Sequence, residues 1–158
     1  MPSEMAPLAD PPAAIDLGRL LAAVGDAVVV TDPDSRVLFW NPASTRMFGY
    51  TEQEAIGQAL DMIIPERLRP RHNEGYAHTM RTGVTKYGTT LLRVPAVHKD
   101  GSAMSIAFTV ALLTGADGHP VAIAAVIRDE TIRFAEERAL KKRIAELEAQ
   151  VAAYSPSS

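Results

Sequence analysis

A chain of 158 residues with a net charge of −3 and no cysteine has room for one compact core plus extensions, and it cannot make a disulfide, a thiolate metal site, an iron–sulfur cluster or a thioether-linked haem. Sixteen basic against nineteen acidic residues give no general attraction to nucleic acid or to an anionic membrane. The longest nearly apolar stretch, Val121 to Ile127, is strand-length and far short of the roughly 20 residues of a spanning helix, and the N-terminus lacks the basic and apolar regions of a secretory signal, so the expectation is a cytoplasmic protein.

Residues 1–14 are rich in Pro and Ala without apolar periodicity and read as a disordered N-terminus. From Ile15 to Val24, the spacing of Leu17, Leu20, Leu21 and Val24 predicts an amphipathic lead-in helix. Ala27 to Thr31 reads as a strand, Asp32-Pro33-Asp34-Ser35 as a turn, and Val37 to Trp40 as the returning strand. Asn41 and Pro42 carry the chemistry of a helix cap and first helical residue. Gly49 closes that helix, and Thr51 with Glu54 opens the next as a capping box.

Asp61 to Ile64 stops at Pro65, and a helix is then expected from Glu66 to Met80 or Arg81, broken around Pro70 and ended at Thr82-Gly83. Three antiparallel strands follow: Tyr87 to Val97, Ala103 to Leu113 and Val121 to Arg128. The turns between them, His98 to Gly101 and Gly115 to Gly118, both contain Asp-Gly. His98 and His119 lie in these turns and are expected to be exposed. Beyond the last strand, Leu140, Ile144, Leu147, Val151 and Tyr154 step by four, three, four and three, a heptad seam two repeats long. That seam packs either on the chain's own sheet or, the favoured reading, on a second copy. The division is therefore a disordered segment 1–14, a sensor domain with its lead-in helix 15–131, a signalling or dimerisation helix 132–154 and a tail 155–158.

This order of elements resembles a PAS domain, the small sensor fold of bacterial signalling proteins. The residues carrying the resemblance are Asp26-Ala27-Val28, Thr31-Asp32, Asn41-Pro42-Ala43, Phe48-Gly49-Tyr50, Glu54-Ala55-Ile56-Gly57, Lys99-Asp100-Gly101 and Ile127-Arg128-Asp129-Glu130-Thr131. It covers roughly Leu17 to Thr131. The resemblance implies an α+β PAS fold: a five-stranded antiparallel sheet with helices on one face, the amphipathic helix before it and a coiled-coil-like helix after it. It also implies a sensory, signal-transduction module that binds a small ligand between sheet and helices. Such a module relays its state through Arg128, Asp129 and Thr131 to a signalling output domain or partner protein. Leu20, Leu140, Ile144, Leu147 and Val151 would form the homodimer contact.

Within that family, Arg71-His72 followed by Tyr76 and Thr82 resembles the haem-containing oxygen sensors, whose iron ligand is a histidine in this helix. The interval from His72 to Asp100 matches as well. The resemblance makes haem b the cofactor to test and gas sensing the associated role. His72 is its metal ligand, and Leu92, Ile106, Phe108, Val110 and Met104 are cofactor-facing residues. Those sensors carry an arginine where this chain has Leu92, and Arg93 points to the opposite face by alternation. His78 or Met104 is a candidate sixth ligand; the alternative is a solvated helix residue and a packing residue. The alternative for His72 itself is a helix residue that caps or faces solvent.

Flavin is a second candidate cofactor, since a Trp near Trp40 contacts the ring in redox PAS domains; a cysteinyl flavin adduct is ruled out. Trp40 also reads as core, and Asn41 as either a cap or a pocket residue. Arg67, Arg69, Arg71 and Arg81 read as a solvated face or as contacts to an anionic ligand. The remaining rivals are a cofactor-free dimerisation domain and a small haem enzyme. No nucleophile elbow, phosphate loop, dinucleotide fingerprint or phospho-acceptor box is present, so no enzyme is expected.

Overall fold

The computed structural model describes residues 15–85 and 88–154. The segment expected to be disordered, the tail and Tyr87 lie outside the described residues. In chain order the elements are α1 (Leu17–Ala23), β1 (Ala27–Thr31), β2 (Val37–Trp40), α2 (Pro42–Phe48), α3 (Glu52–Ala55), two 3-10 turns (Leu60–Ile63 and Glu66–Leu68), α4 (Arg69–Thr82), β3 (Leu92–Val97), β4 (Ala103–Thr114), β5 (Pro120–Asp129) and α5 (Thr131–Tyr154). The strands form one antiparallel sheet in the order β2-β1-β5-β4-β3. The first and last strands in sequence are thus paired near its middle, with Ala27 opposite Ile127.

Residues directly opposite each other in antiparallel strands share a face, so the register defines the inner side. One row runs Trp40, Val29, Ala125, Val110 and the next Ala27, Ile127, Phe108, Leu92. Phe48 of α2, Ala55 of α3 and Ile63 cover this face to make the core, with the Trp40 and Phe48 rings 5.7 Å apart.

Asn41 is 2% exposed, and its amide is fully committed. Oδ1 accepts from the Val28 N–H at 2.9 Å, the Ser44 N–H at 3.0 Å and the Ser44 hydroxyl at 2.7 Å. Nδ2 donates to the Leu21 and Asp26 carbonyls at 3.0 and 3.1 Å. Pro42 sits in the first turn of α2 and Gly49 ends it at φ +84°. Both halves of the Thr51–Glu54 capping box are formed.

The structure departs from the sequence expectations at three places. The third strand begins at Leu92, because Gly88, at φ +54°, and Thr89 form a turn ahead of it. The helix expected from Glu66 is a 3-10 turn followed by α4, whose first turn holds Pro70. A proline there loses no helix hydrogen bond, so it starts the helix rather than breaking it. His98 is packed rather than exposed. Its turn docks on the end of α2, where Lys99 N–H donates to Phe48 O at 2.9 Å, and its ring lies against Gly49.

Gly49 and Gly101 therefore separate two costs. Both have positive φ, +84° and +87°, but a Cβ on Gly49 would lie 2.5 Å from His98 Cε1, whereas one on Gly101 would meet nothing within 4 Å. Gly101→Ala is expected to cost about 1–2 kcal/mol, the left-handed penalty alone, and Gly49→Ala clearly more. Equal drops in melting temperature would show that the His98 ring yields without cost.

Candidate functional site

His72 and Tyr76 are one helical turn apart, so they share a face of α4, and their ring centroids are 5.9 Å apart. Tyr76 is buried against the sheet: its hydroxyl is 2.8 Å from that of Thr31 and donates to the Asp32 carbonyl. Burial pushes its pKa up, so it remains a neutral hydrogen-bonding group. This anchor sets the sheet-facing side of α4 and places half-buried His72 on it. His72 Nδ1 is 3.2 Å from Asn73 Oδ1, while Asn73 Nδ2 donates to Asp61 Oδ2 at 3.4 Å. A carboxylate can only accept, so this chain orients the amide and makes Nδ1 the donor in neutral His72. The lone pair is left on Nε2, the tautomer a metal-binding imidazole with an outer hydrogen-bond partner uses.

The inner faces of β3, β4 and β5 carry only apolar side chains from Leu92 to Ile127, read by register. Their cover is graded. Ala96, Met104 and Ile106 are buried in the core, whereas Leu92, Phe108 and Val110 are half-buried and Val94 is 37% exposed. Leu92 is opposite Phe108 and points inward, and Arg93 is exposed on the other face. The sequence-derived set thus divides. Leu92, Phe108 and Val110 line the less covered half of the inner face, whereas Met104 and Ile106 are core.

His78 is exposed, and its carbonyl accepts from Thr82. Trp40 is core, donating from Nε1 to Thr45 Oγ1 and the Tyr50 carbonyl, both at 3.1 Å. With its amide consumed, Asn41 is a structural residue. Arg67, Arg71 and Arg81 are exposed, and Arg69 Nε donates to Ile64 O at 3.1 Å.

A feature that sequence reasoning missed is a surface depression of about 410 Å³ lined by Tyr50, Glu54, Gln58, Ala59, Asp61, Met62, Arg69 and Lys99. Its rim is the ion pair between Lys99 Nζ and Glu54 Oε1 at 2.6 Å, with the ammonium 5.9 Å from the Tyr50 ring centroid. The sequence signal was the pair of motifs around Tyr50 and Lys99, which fold against each other. The depression holds neither His72 nor any strand residue. Among the described residues no group of three or more His, Cys, Asp or Glu could hold a bare metal ion, and no helix is long and apolar enough to cross a membrane.

The exit from the sheet is hydrogen-bonded on both sides. Arg128 makes a two-point contact with Asp26, Nε–Oδ1 3.1 Å and Nη2–Oδ2 2.9 Å, and this hydrogen-bonded partner raises the guanidinium pKa further. Asp129 Oδ1 accepts from the Thr131 N–H at 2.8 Å and from its hydroxyl. Thr131 Oγ1 accepts from the Ser105 N–H at 3.1 Å, and Glu130 N–H donates to Ser105 O at 2.8 Å. Beyond this knot α5 buries no residue, so its seam does not pack on the chain's own sheet. Leu20, Leu140, Ile144, Leu147 and Val151 are all exposed.

Residues 25–131 match the PAS domain family. The oxygen sensor protein DosP of Escherichia coli (strain K12) is 31% identical over 118 residues, 75% of this chain and 14% of that protein. Sensor protein FixL of Bradyrhizobium diazoefficiens is 36% identical over 66 residues, 42% of this chain and 13% of that protein. The chain thus spans well under a fifth of the length of these relatives. Among solved structures, a PAS domain from Colwellia psychrerythraea superposes with a TM-score of 0.64 at 24% identity, covering 73% of this chain and 94% of that one. An RNA-binding light-oxygen-voltage receptor gives 0.68 at 21%, covering 89% of this chain and 42% of that one. At these identities the structures establish the fold.

The rim ion pair has a pH signature. The hydrogen bond from Lys99 holds the Glu54 carboxyl below its ordinary value of 4.5. A carboxyl whose folded pKa is depressed contributes stability above its unfolded value, and that contribution is lost as pH falls through the folded one. Lys99→Met should therefore lower the urea midpoint relative to the parent above about pH 4.5, and the gap should close below it. The pair is exposed, so the gap is small and shrinks with salt. A gap constant from pH 7 to pH 3 would mean that Lys99 stabilises by packing on Tyr50 instead.

Proposed function

Since the chain belongs to the PAS domain family, we propose that it is a sensor module taking haem b between α4 and the inner sheet face, with His72 as the iron ligand. The observation carrying this reading is His72 on the same side of α4 as the sheet-bound Tyr76, its Nδ1 engaged and its Nε2 lone pair free, together with the incompletely covered apolar side chains of Leu92, Phe108 and Val110 on the inner sheet face. Neutral imidazole is an ordinary axial ligand, and an apolar wall suits a flat macrocycle. When bound, haem supplies a site for a diatomic gas. The chain's own residues do the rest. Asn73 and Asp61 orient the His72 ring, and Tyr76 fixes the helix that carries it. Leu92, Phe108 and Val110 exclude water.

The chemistry of this module is binding and not turnover. Its state passes from β5 through Arg128, Asp129 and Thr131 to α5, to the second copy in a homodimer, and to an output domain or partner protein in the cytoplasm. This requires the ligand to bind two arrangements of that junction with different affinity. Similarity to a protein named as an oxygen sensor supports the gas-sensing class, while Leu92 gives the inner face no hydrogen-bond donor for bound oxygen.

Haem titration of the parent, His72→Ala and His78→Ala, followed by absorption, tests the reading. The parent and His78→Ala should give a Soret band and His72→Ala should lose it. The reduced parent should take up carbon monoxide and hold oxygen weakly. Equal titration of parent and His72→Ala would refute the ligand assignment. Absorption near 450 nm in protein as purified (about the flavin range) would replace haem by flavin, and no uptake of either would make this a cofactor-free interaction domain.

A further inference from the structure

The depression beside α3 is lined by two cations and two anions, of which one pair is already spent. Lys99 and Glu54 neutralise each other at 2.6 Å on its exposed rim. Arg69 and Asp61, both half-buried, make no ion pair among the described residues. Each is held at a single atom. Arg69 Nε donates to Ile64 O at 3.1 Å, and Asp61 Oδ2 accepts from Asn73 Nδ2 at 3.4 Å. Both Nη groups of Arg69 and the Oδ1 of Asp61 are thus left without a partner among the described residues. The other half-buried residues of the lining are Tyr50, Ala59 and Met62, which supply an apolar floor. The Tyr50 hydroxyl donates to the Met62 carbonyl at 3.4 Å and ties the ring to the 3-10 turn at Leu60–Ile63.

This set of groups disfavours a simple ion. An anion drawn to Arg69 meets the charge of Asp61, and a cation drawn to Asp61 meets that of Arg69, so repulsion offsets the gain. A neutral dipolar molecule gains from both. A guanidinium fixed through Nε offers its Nη edge to a carboxylate as a planar fork, and a free carboxylate oxygen accepts from an ammonium. Adjacent carboxylate and ammonium groups on an apolar body define an α-amino acid with an apolar side chain. The end of a peptide carries one of those charges and not both, which selects a free amino acid over a chain terminus. The volume of about 410 Å³ lies within the roughly 300–1,000 Å³ of small-ligand sites.

The geometry points to this depression as a binding site for a free α-amino acid with an apolar side chain: its carboxylate on Arg69, its ammonium on Asp61 and its side chain on Tyr50, Ala59 and Met62. Such an occupant joins the 3-10 turn to the first residue of α4. It also acts on the carboxylate that Asn73 bonds, and Asn73 is the partner of His72 Nδ1. The position is therefore that of an effector, outside the residues proposed to face haem. The site rests on the depression alone and not on the cofactor reading.

Titration of the full chain with L-leucine, followed by backbone amide chemical shifts, tests this. The amides of Gln58, Ala59, Met62 and Lys99 should shift and saturate with a dissociation constant of about 1 mM or tighter. L-Leucinamide lacks the carboxylate, N-acetyl-L-leucine lacks the ammonium and glycine lacks the side chain. Each should bind at least tenfold more weakly. Asp61→Asn and Arg69→Gln should weaken L-leucine by a similar factor, and the three derivatives read the same contacts in the unaltered chain. No shift in these amides at about ten times that concentration overturns the proposal. So do derivatives that bind as tightly as L-leucine, or inorganic phosphate saturating the same amides at lower concentration. None of these results bears on the haem titration, which stands or falls on His72.

Discussion

The amide of Asn41 is the point from which the rest of the arrangement follows. It sits where β2 becomes α2, and its five hydrogen bonds reach β1, the end of α1 and the first turn of α2. A buried amide without partners costs several kcal/mol, so this position is tolerable only when all three elements are in place. The amide thereby fixes how α2 lies on the sheet, and with it the burial of Phe48 against Trp40.

A second lock closes one end of the inner face and leaves the other loose. The β3–β4 turn is held by the Lys99–Phe48 backbone bond, the His98 ring on Gly49 and the Lys99–Glu54 pair. Next to that turn, Ala96 and Met104 are buried. Away from it, Leu92, Phe108 and Val110 are not. The helix α4 is held to the sheet by the hydroxyl of Tyr76.

What was legible in the sequence is what neighbouring residues decide. The first hairpin, the Asn41 and Thr51 caps, the Gly49 stop and the Asp-Gly turns depend on residues a few positions apart, and all formed where the pattern put them. Partners distant in sequence were opaque. The Asp26–Arg128 contact spans 102 positions and Glu54–Lys99 spans 45; neither has a local signature, and the motifs around Tyr50 and Lys99 that line the depression do not by themselves say that they fold against each other. His98 was misread because turn residues are usually solvated, and only the docking of its turn on α2 covers it. The start of β3 failed on Gly88, whose sign of φ no pattern reveals.

The path from the cleft to α5 runs through one strand. Ile123 of β5 lies opposite Thr31, whose hydroxyl donates to that of Tyr76 and lies 3.4 Å from the Ile123 carbonyl. Six residues on, the same strand reaches Asp129, which caps the start of α5 through Thr131. A helix joined to a strand without a linker cannot absorb a shift at the join, because its first turn is already bonded to Asp129 and Ser105. A displacement of α4 that altered the Tyr76–Thr31 contact would therefore act on the strand that aims α5. Since α5 is 24 residues long, about 36 Å at 1.5 Å per residue, a small rotation at its root becomes a displacement of several ångströms at Tyr154. Rigidity at the junction, together with looseness at the cleft, is the mechanical condition for passing a binding event outward.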